Sequence, residues 1–361
     1  MIKTITARNV NHALESGLHH LKNEGVITGS RNGPVLVAPG PVVTAYKKPM
    51  ERVLWCPVRD ANPFFHLFES MWMLAGRNDT ATLTPLVPRM GMFSDDQKTL
   101  NGAYGYRWRE HFGYDQLKEI SKMLAKDPST RRAVLSMWDP MGTPEEEGDQ
   151  LPDLVNQGSK DLPCNTHIYF DASRGKLDMT VCNRSNDVIW GAYGANSVHM
   201  SFLHEWMALA SGLEVGIYYQ FSNNYHIYVA REDVQRLLYC PATVDRAHWR
   251  VDYQMLNEYN FAATQNNPRP LLTPNEWRAA HGFLDEMEEW CANGGKLTQP
   301  LYAFTQDVLN PVMQAHRLYK EGDTRRAVAA LAQAKHSDWR TACLMWLNRR
   351  IFKHTNAGAV V

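Results

Sequence analysis

Cys164 stands in Leu162-Pro163-Cys164-Asn165, and twenty residues on comes Arg184, within the run Asn183-Arg184-Ser185-Asn186-Asp187. A thiol attacks only as its thiolate. A free cysteine, with a pKa of about 8.5, needs a nearby positive charge to populate that form at neutral pH. Arg184 is the candidate, and the same guanidinium can fork onto a phosphate. The chemistry this spacing points to is a thiolate attacking an anionic substrate. An isolated cysteine is ordinarily a small buried hydrophobe. Cys56, Cys182, Cys240, Cys291 and Cys343 are read that way; Cys164 is set apart by its neighbours.

The elements between the two must bring them together. His167-Ile168-Tyr169-Phe170 and Lys176-Leu177-Asp178-Met179-Thr180-Val181 read as short strands joined by a polar turn through Ser173-Arg174-Gly175. Antiparallel pairing returns the chain to its start, which places Arg184 beside Cys164. A helix is expected from Ser197 to Ala210, where Val198, Phe202, Trp206 and Leu209 recur at helical spacing as core residues. Glu69 lies in Phe68-Glu69-Ser70-Met71-Trp72-Met73-Leu74, an apolar helix where a carboxylate is costly unless used or paired. Residues 1 to about 60 read as a helical start, then Gly/Pro-punctuated chain leading into a strand at Val35-Leu36-Val37. The acidic stretch of about 140–162 reads as a surface insertion. From 276 the pattern is helical, with a hairpin broken around His336-Ser337-Asp338.

Composition bounds the function. The 361 residues, 44% hydrophobic, can build a substantial core. Lys and Arg number 38 and so do Asp and Glu, with no long basic run, which argues against a nucleic-acid partner. No apolar stretch has the length of a membrane span, and the N-terminus lacks a secretory pattern. The six cysteines show no Cys-x-x-Cys spacing, so a reduced chain without a structural metal is expected.

The run from Leu162 to about Tyr228 resembles the thymidylate synthase superfamily, which includes the phage pyrimidine hydroxymethylases. Its marks are the Pro-Cys, the Arg-Ser-x-Asp with Gly191, then Asn196 and the His226-x-Tyr228 pair. Upstream, Asp127-Pro128-Ser129-Thr130-Arg131-Arg132 resembles the family's twin-arginine segment. Glu69-x-x-Trp72 and Gly102-Ala103-Tyr104-Gly105 match two further stretches. The resemblance implies an α+β fold, a large kinked mixed sheet flanked by helices, with two subunits packed sheet to sheet. Residues 1–275 would be the catalytic domain, interrupted at about 140–162, and 276–361 an added helical extension. A cytoplasmic location in a bacterial host follows if the phage kinship holds.

The same resemblance assigns roles. Cys164 adds to C6 of a pyrimidine deoxynucleoside monophosphate, which makes C5 nucleophilic. Arg184 and Ser185 bind its phosphate, joined by Arg31 from the N-terminal segment and, across a homodimer interface, by Arg131 and Arg132. Asn196 reads O4 and N3–H of uracil, since an amide both donates and accepts. The cytosine-specific hydroxymethylases carry aspartate there, so dUMP is expected. The Gly191–Asn196 segment is one residue longer than the synthase pattern. His226 and Tyr228 bond the 3′-hydroxyl, and Asp187 binds the pterin of 5,10-methylenetetrahydrofolate. Glu69 organises water near O4 and the folate, and Tyr104 helps remove the C5 proton.

Both branches of the superfamily pass through an exocyclic methylene at C5. Synthases shield it, and folate hydride reduces it; hydroxymethylases let water add. The synthases' shielding tryptophan is missing from Met90-Gly91-Met92-Phe93-Ser94-Asp95-Asp96, which leaves Phe93 as the ring beside the folate. Asn165 replaces their usual histidine after the cysteine, and the chain continues past their short sealing tail to Ala357-Gly358-Ala359-Val360-Val361. Each change loosens the dry site that hydride transfer requires. Hydroxymethylation of dUMP is therefore the expectation, with thymidylate synthase, dCMP hydroxymethylase and a non-catalytic nucleotide- or RNA-binding regulator as alternatives.

Overall fold

The computed structural model describes residues 1–142, 151–239 and 266–357. Cys240, the acidic centre of the insertion at 143–150 and the last residues from Gly358 lie outside the described residues. The elements run β1 (Lys3–Ala7), α1 (Val10–Glu24), β2 (Val26–Thr28), β3 (Val35–Val37), β4 (Val42–Tyr46), α2 (Pro63–Leu74), α3 (Tyr104–Arg109) and α4 (Gln116–Lys126). Next come β5 (Val134–Ser136), β6 (Asn165–Asp171), β7 (Leu177–Asn183), β8 (Asn186–Asp187), α5 (Asn196–Ala210), β9 (Val215–Ser222), β10 (Tyr225–Tyr228) and α6 (Glu232–Tyr239). Helices α7 (Ala280–Ala292), α8 (Asn310–Lys320), α9 (Thr324–Gln333) and α10 (Asp338–Ala357) complete the described chain.

A six-stranded mixed sheet has the order β1-β4-β9-β7-β6-β5, and a smaller sheet the order β2-β3-β10-β8. The expected α+β class is observed. The chain opens with a strand, however, where the sequence reading expected a helical start. Ile5 and Ala7 alternate inward along β1, a period of two, and β1 pairs in parallel with β4. Strands β6 and β7 pair antiparallel, as their turn implied, with Gly175 in the left-handed region at φ 85°.

One face of the large sheet packs on α5, and the other is left uncovered by the described residues. Across it run Val43, Phe221, Cys182 and His167 in one register row, with Tyr219, Thr180, Tyr169 and Val134 in the next. Tyr169 and Val134 are 44% and 40% exposed.

Helix α2 is almost wholly buried. Asn62 caps it by accepting from the Phe64 and Phe65 amides, and Pro63 pre-sets its first turn. The C-terminal helices close around it: Phe64 meets Trp346 edge-on at 5.5 Å and Phe68 lies 5.2 Å from Trp290. One hydrophobic core therefore includes residues from both halves of the chain. The insertion is mixed. Leu154 and Val155 are exposed, but Asp153 is buried in a bidentate pair with buried Arg107 at 2.7 and 2.8 Å.

Candidate active site

The β6–β7 register sets Asn165 opposite Asn183, and the next residue's amide, Arg184 N–H, donates to Cys164 O at 2.9 Å. The Arg184 guanidinium then folds back over the turn. Its Nε donates to Pro163 O at 3.0 Å and its Nη2 to Leu162 O at 3.2 Å, while the side chain stays exposed. Arginine and cysteine are thus locked to one another through the backbone. The expectation that Arg184 alone enriches the thiolate needs correction. Burial pushes the Cys164 thiol above its ordinary value; Arg184 pulls it back, and Asp161 adds to the rise.

Asp161 went unread in the sequence. It accepts the Gly102 amide at 2.9 Å, and a Cβ on Gly102 would come within 2.9 Å of its carboxylate, so only glycine fits there. That contact seats Tyr104, at the start of α3, against the backbone of Cys164. Burial raises its phenol well above the ordinary value, so the hydroxyl stays protonated.

Asp187 ends β8 with divided duties. Its Oδ1 caps the following turn through the Ile189 and Trp190 amides at 2.9 and 2.6 Å, while its Oδ2 is buried with no partner among the described residues. Burial raises its pKa. From Val188 to Ala195, the segment that carries the extra residue noted before Asn196, the chain winds in helical turns kinked by non-helical backbone at Tyr193 and Gly194. Asn196 is therefore delivered to the first turn of α5, its Nδ2 donating to Asn186 Oδ1 at 3.1 Å. The second amide hydrogen and the carbonyl oxygen remain for a ligand.

In the smaller sheet His226 lies opposite Asp187, and its Nδ1 is 2.8 Å from Asn224 Oδ1. Burial lowers its pKa, so the ring is neutral with Nδ1–H donating and Nε2 left as an acceptor. Tyr228 meets it edge-on at 5.3 Å. Arg31 is exposed at the tip of the β2–β3 hairpin of the same sheet, in a turn closed by reciprocal Ser30–Gly33 backbone bonds. Ser185 is half-buried beside Arg184. Phe93 ends a short 3₁₀ turn and is 56% exposed; the adjoining Asp95 ties that turn to Ser159 and Lys160, just before Cys164.

Arg131 and Arg132 do not join this cluster. Both are exposed ahead of β5, and Val134 pairs with Tyr169, toward the far end of β6 from Cys164. At about 3.3 Å per residue the pair stands on the order of 20 Å from the thiol.

The remaining wall is helical. Glu69 of α2 brings Oε2 within 3.0 Å of His199 Nε2 on α5, without the alignment of a hydrogen bond. His199 is 2% exposed. His66, one turn back on α2, sets its ring 6.4 Å from that of His199. Arg59 stacks 4.0 Å over Trp190, donates to Ile189 O at 3.0 Å and faces Asp187; burial lowers its pKa to about 10. His199 sits three residues after Asn196, on the same face of α5, and that spacing was the available signal for it. Arg59 and Asp161 carry none.

The thymidylate synthase family pattern matches residues 63–262. A deoxyuridylate hydroxymethyltransferase of Pseudomonas phage M6 is 45% identical over 357 residues, which are 97% of this chain and 95% of that protein. Another, of Bacillus phage SP01, is 36% identical over 262 residues, 68% of this chain and 63% of the relative. A thymidylate synthase of Francisella philomiragia subsp. philomiragia is 28% identical over 163 residues, 44% of this chain and 59% of the relative. The chain belongs to the thymidylate synthase family, and it is a transferase.

Proposed function

We propose that this protein transfers a one-carbon unit to C5 of dUMP and lets water complete the reaction, giving 5-hydroxymethyl-dUMP. The observation that carries this reading is the phage M6 similarity, which runs through the C-terminal helices, beyond residue 262 where the thymidylate synthase family pattern ends. The polar helical wall around Glu69 and the exposed ring of Phe93 fit a wet site.

The residues divide the work. Arg184 and Ser185 take the phosphate, and Cys164 gives its proton to solvent water and adds to C6 as the thiolate. Asn196 pairs with O4 and N3–H, and His226 with Tyr228 holds the sugar hydroxyl. Tyr104, its hydroxyl protonated, orients the water that takes the C5 proton, and Glu69 manages the proton at O4. When bound, 5,10-methylenetetrahydrofolate supplies the one-carbon unit. Its pterin N–H groups match the buried, unpartnered Asp187 Oδ2, with Trp190 beside it. The uncovered sheet face and the remote twin arginines support a homodimer in which Arg131 and Arg132 serve the partner's phosphate site. We assign 1–275 to catalysis and 276–361 to an extension bracing α2. No described helix is long and apolar enough to cross a membrane. The similarity to phage proteins supports action in the cytoplasm of a bacterial host.

The test is turnover of the full chain with the folate and either dUMP or dCMP. Consumption of dUMP alone, abolished in Cys164→Ser, is expected. Reaction only with dCMP contradicts the role of Asn196, and unchanged turnover in Cys164→Ser contradicts covalent catalysis altogether.

A further inference from the structure

Two features of the helical wall have no part in nucleotide binding. The first is His199, a buried imidazole whose Nε2 lies 3.0 Å from Glu69 Oε2 and whose Nδ1 finds no hydrogen-bond partner among the described residues. Leaving such atoms without partners is costly, and native structures keep them for a reason such as a proton in transit or a water. The second is a small, partly open cleft behind α2. His66 lines it, and its opposite wall is Trp339, Ala342, Met345 and Arg349 of α10. Asp60 pins that wall, pairing with Arg349 at 3.1 Å and Arg350 at 2.9 Å.

We propose that Glu69, His199 and His66 form a proton relay that takes the proton of the attacking water and delivers it to this cleft. This rests on the hydroxymethyl reading above. The water oxygen bonds to the exocyclic carbon, and the electron pair of the C5 double bond moves through C5 to O4 as an enolate. The water proton passes by Glu69 to His199 Nε2, and His199 releases the proton of Nδ1 toward His66. The enolate collapses, the bond from C6 to Cys164 sulfur breaks, and the ring double bond re-forms.

The rest of the site favours this route. Asn165, which follows the cysteine, gives its amide to Asn183 Oδ1 at 2.8 Å and cannot accept and pass on a proton. The site's imidazole comes instead from α5. The His66 and His199 rings, edge-on at 6.4 Å, are at a separation one water can bridge. His66 is held neutral by burial, by Arg59 and by His199, so it can receive a proton and shed it. The charged groups around the relay are Glu69 on α2, Arg59 and Asp60 ahead of it, and Arg349 on α10. The C-terminal extension thereby gains a role, because it forms the outer wall of the exit.

His199 acts through Glu69 and is a positioning and relay residue. In the full chain, His199→Gln is expected to lower kcat for hydroxymethyl-dUMP by about 10²-fold, the usual scale for losing general acid–base assistance, with KM for dUMP little changed. Ala342→Phe, which fills the cleft without touching the site, is expected to lower kcat by about tenfold as proton exit slows. Both variants should still form the covalent adduct with 5-fluoro-dUMP and the folate, which stops before water adds and so reports a folded site. Native kcat in His199→Gln, or an equal loss of adduct and turnover, overturns the relay. A methyl product from the unmodified enzyme overturns the hydroxymethyl reading instead.

Discussion

The two walls of this site are built from different materials. The nucleotide wall consists of strand ends and turns, where Cys164, Arg184, Asp187 and Asn196 follow one another closely and are fixed by backbone bonds and caps. The opposite wall is two packed helices, where Glu69 and His199 meet from segments 130 residues apart in sequence. Strand ends offer exposed donors for a dianion. Buried helices offer few polar groups, and each one there has to be paired or used. On the proposed reading, the nucleotide wall governs what binds, and the helical wall what becomes of it.

The sharpest way to break this comparison is to move a phosphate ligand off the nucleotide wall. Cys164→Ser and Arg132→Ala subunits, each inactive alone, should regain activity when mixed and refolded as hybrid dimers, because one hybrid site then has both native groups. Continued inactivity of the mixture, with dimers present, removes the twin arginines from the partner's site.

A smaller effect concerns the thiol. Burial raises its pKa, so in the absence of nucleotide Cys164 should alkylate at pH 7 more slowly than a free cysteine, itself only a few per cent thiolate with its pKa of about 8.5. The rate should rise with pH and reach its plateau above the range of a free thiol. A plateau already reached at pH 7 contradicts the site as described.

The smallest effect lies on the helical side. Asp338, buried at the start of α10 with Oδ2 unpaired among the described residues, has its pKa raised to about 7 by burial. Because the folded value exceeds the unfolded value of about 4, its stabilising contribution is complete below pH 4 and is lost as pH rises through 7. Asp338→Asn should therefore flatten the decline of Tm between about pH 4 and pH 7. An unchanged slope shows that the carboxyl is ionised in the fold across that range.

The same division explains what could be read from the chain. The Cys164–Arg184 hairpin, the helix beginning near Asn196 and the break at His336–Asp338 are local patterns, and the structure has them. The extra residue before Asn196 was visible as a count, but the kink at Tyr193 and Gly194 in that segment was not. The strand β1 was missed because its parallel partner, β4, lies beyond a helix and a hairpin. Arg59, Asp161 and His199 were missed because their meaning lies in contacts between distant segments. The effect of burial on Cys164, which outweighs its arginine, also needs the third dimension.

Both walls are tested together by the product itself. The full chain, incubated with dUMP and 5,10-methylenetetrahydrofolate, should yield a nucleotide heavier by one CH₂O unit, with no rise in dihydrofolate absorbance. A nucleotide heavier by one CH₂ unit, with dihydrofolate accumulating in step, would contradict the account and mark the helical wall as dry.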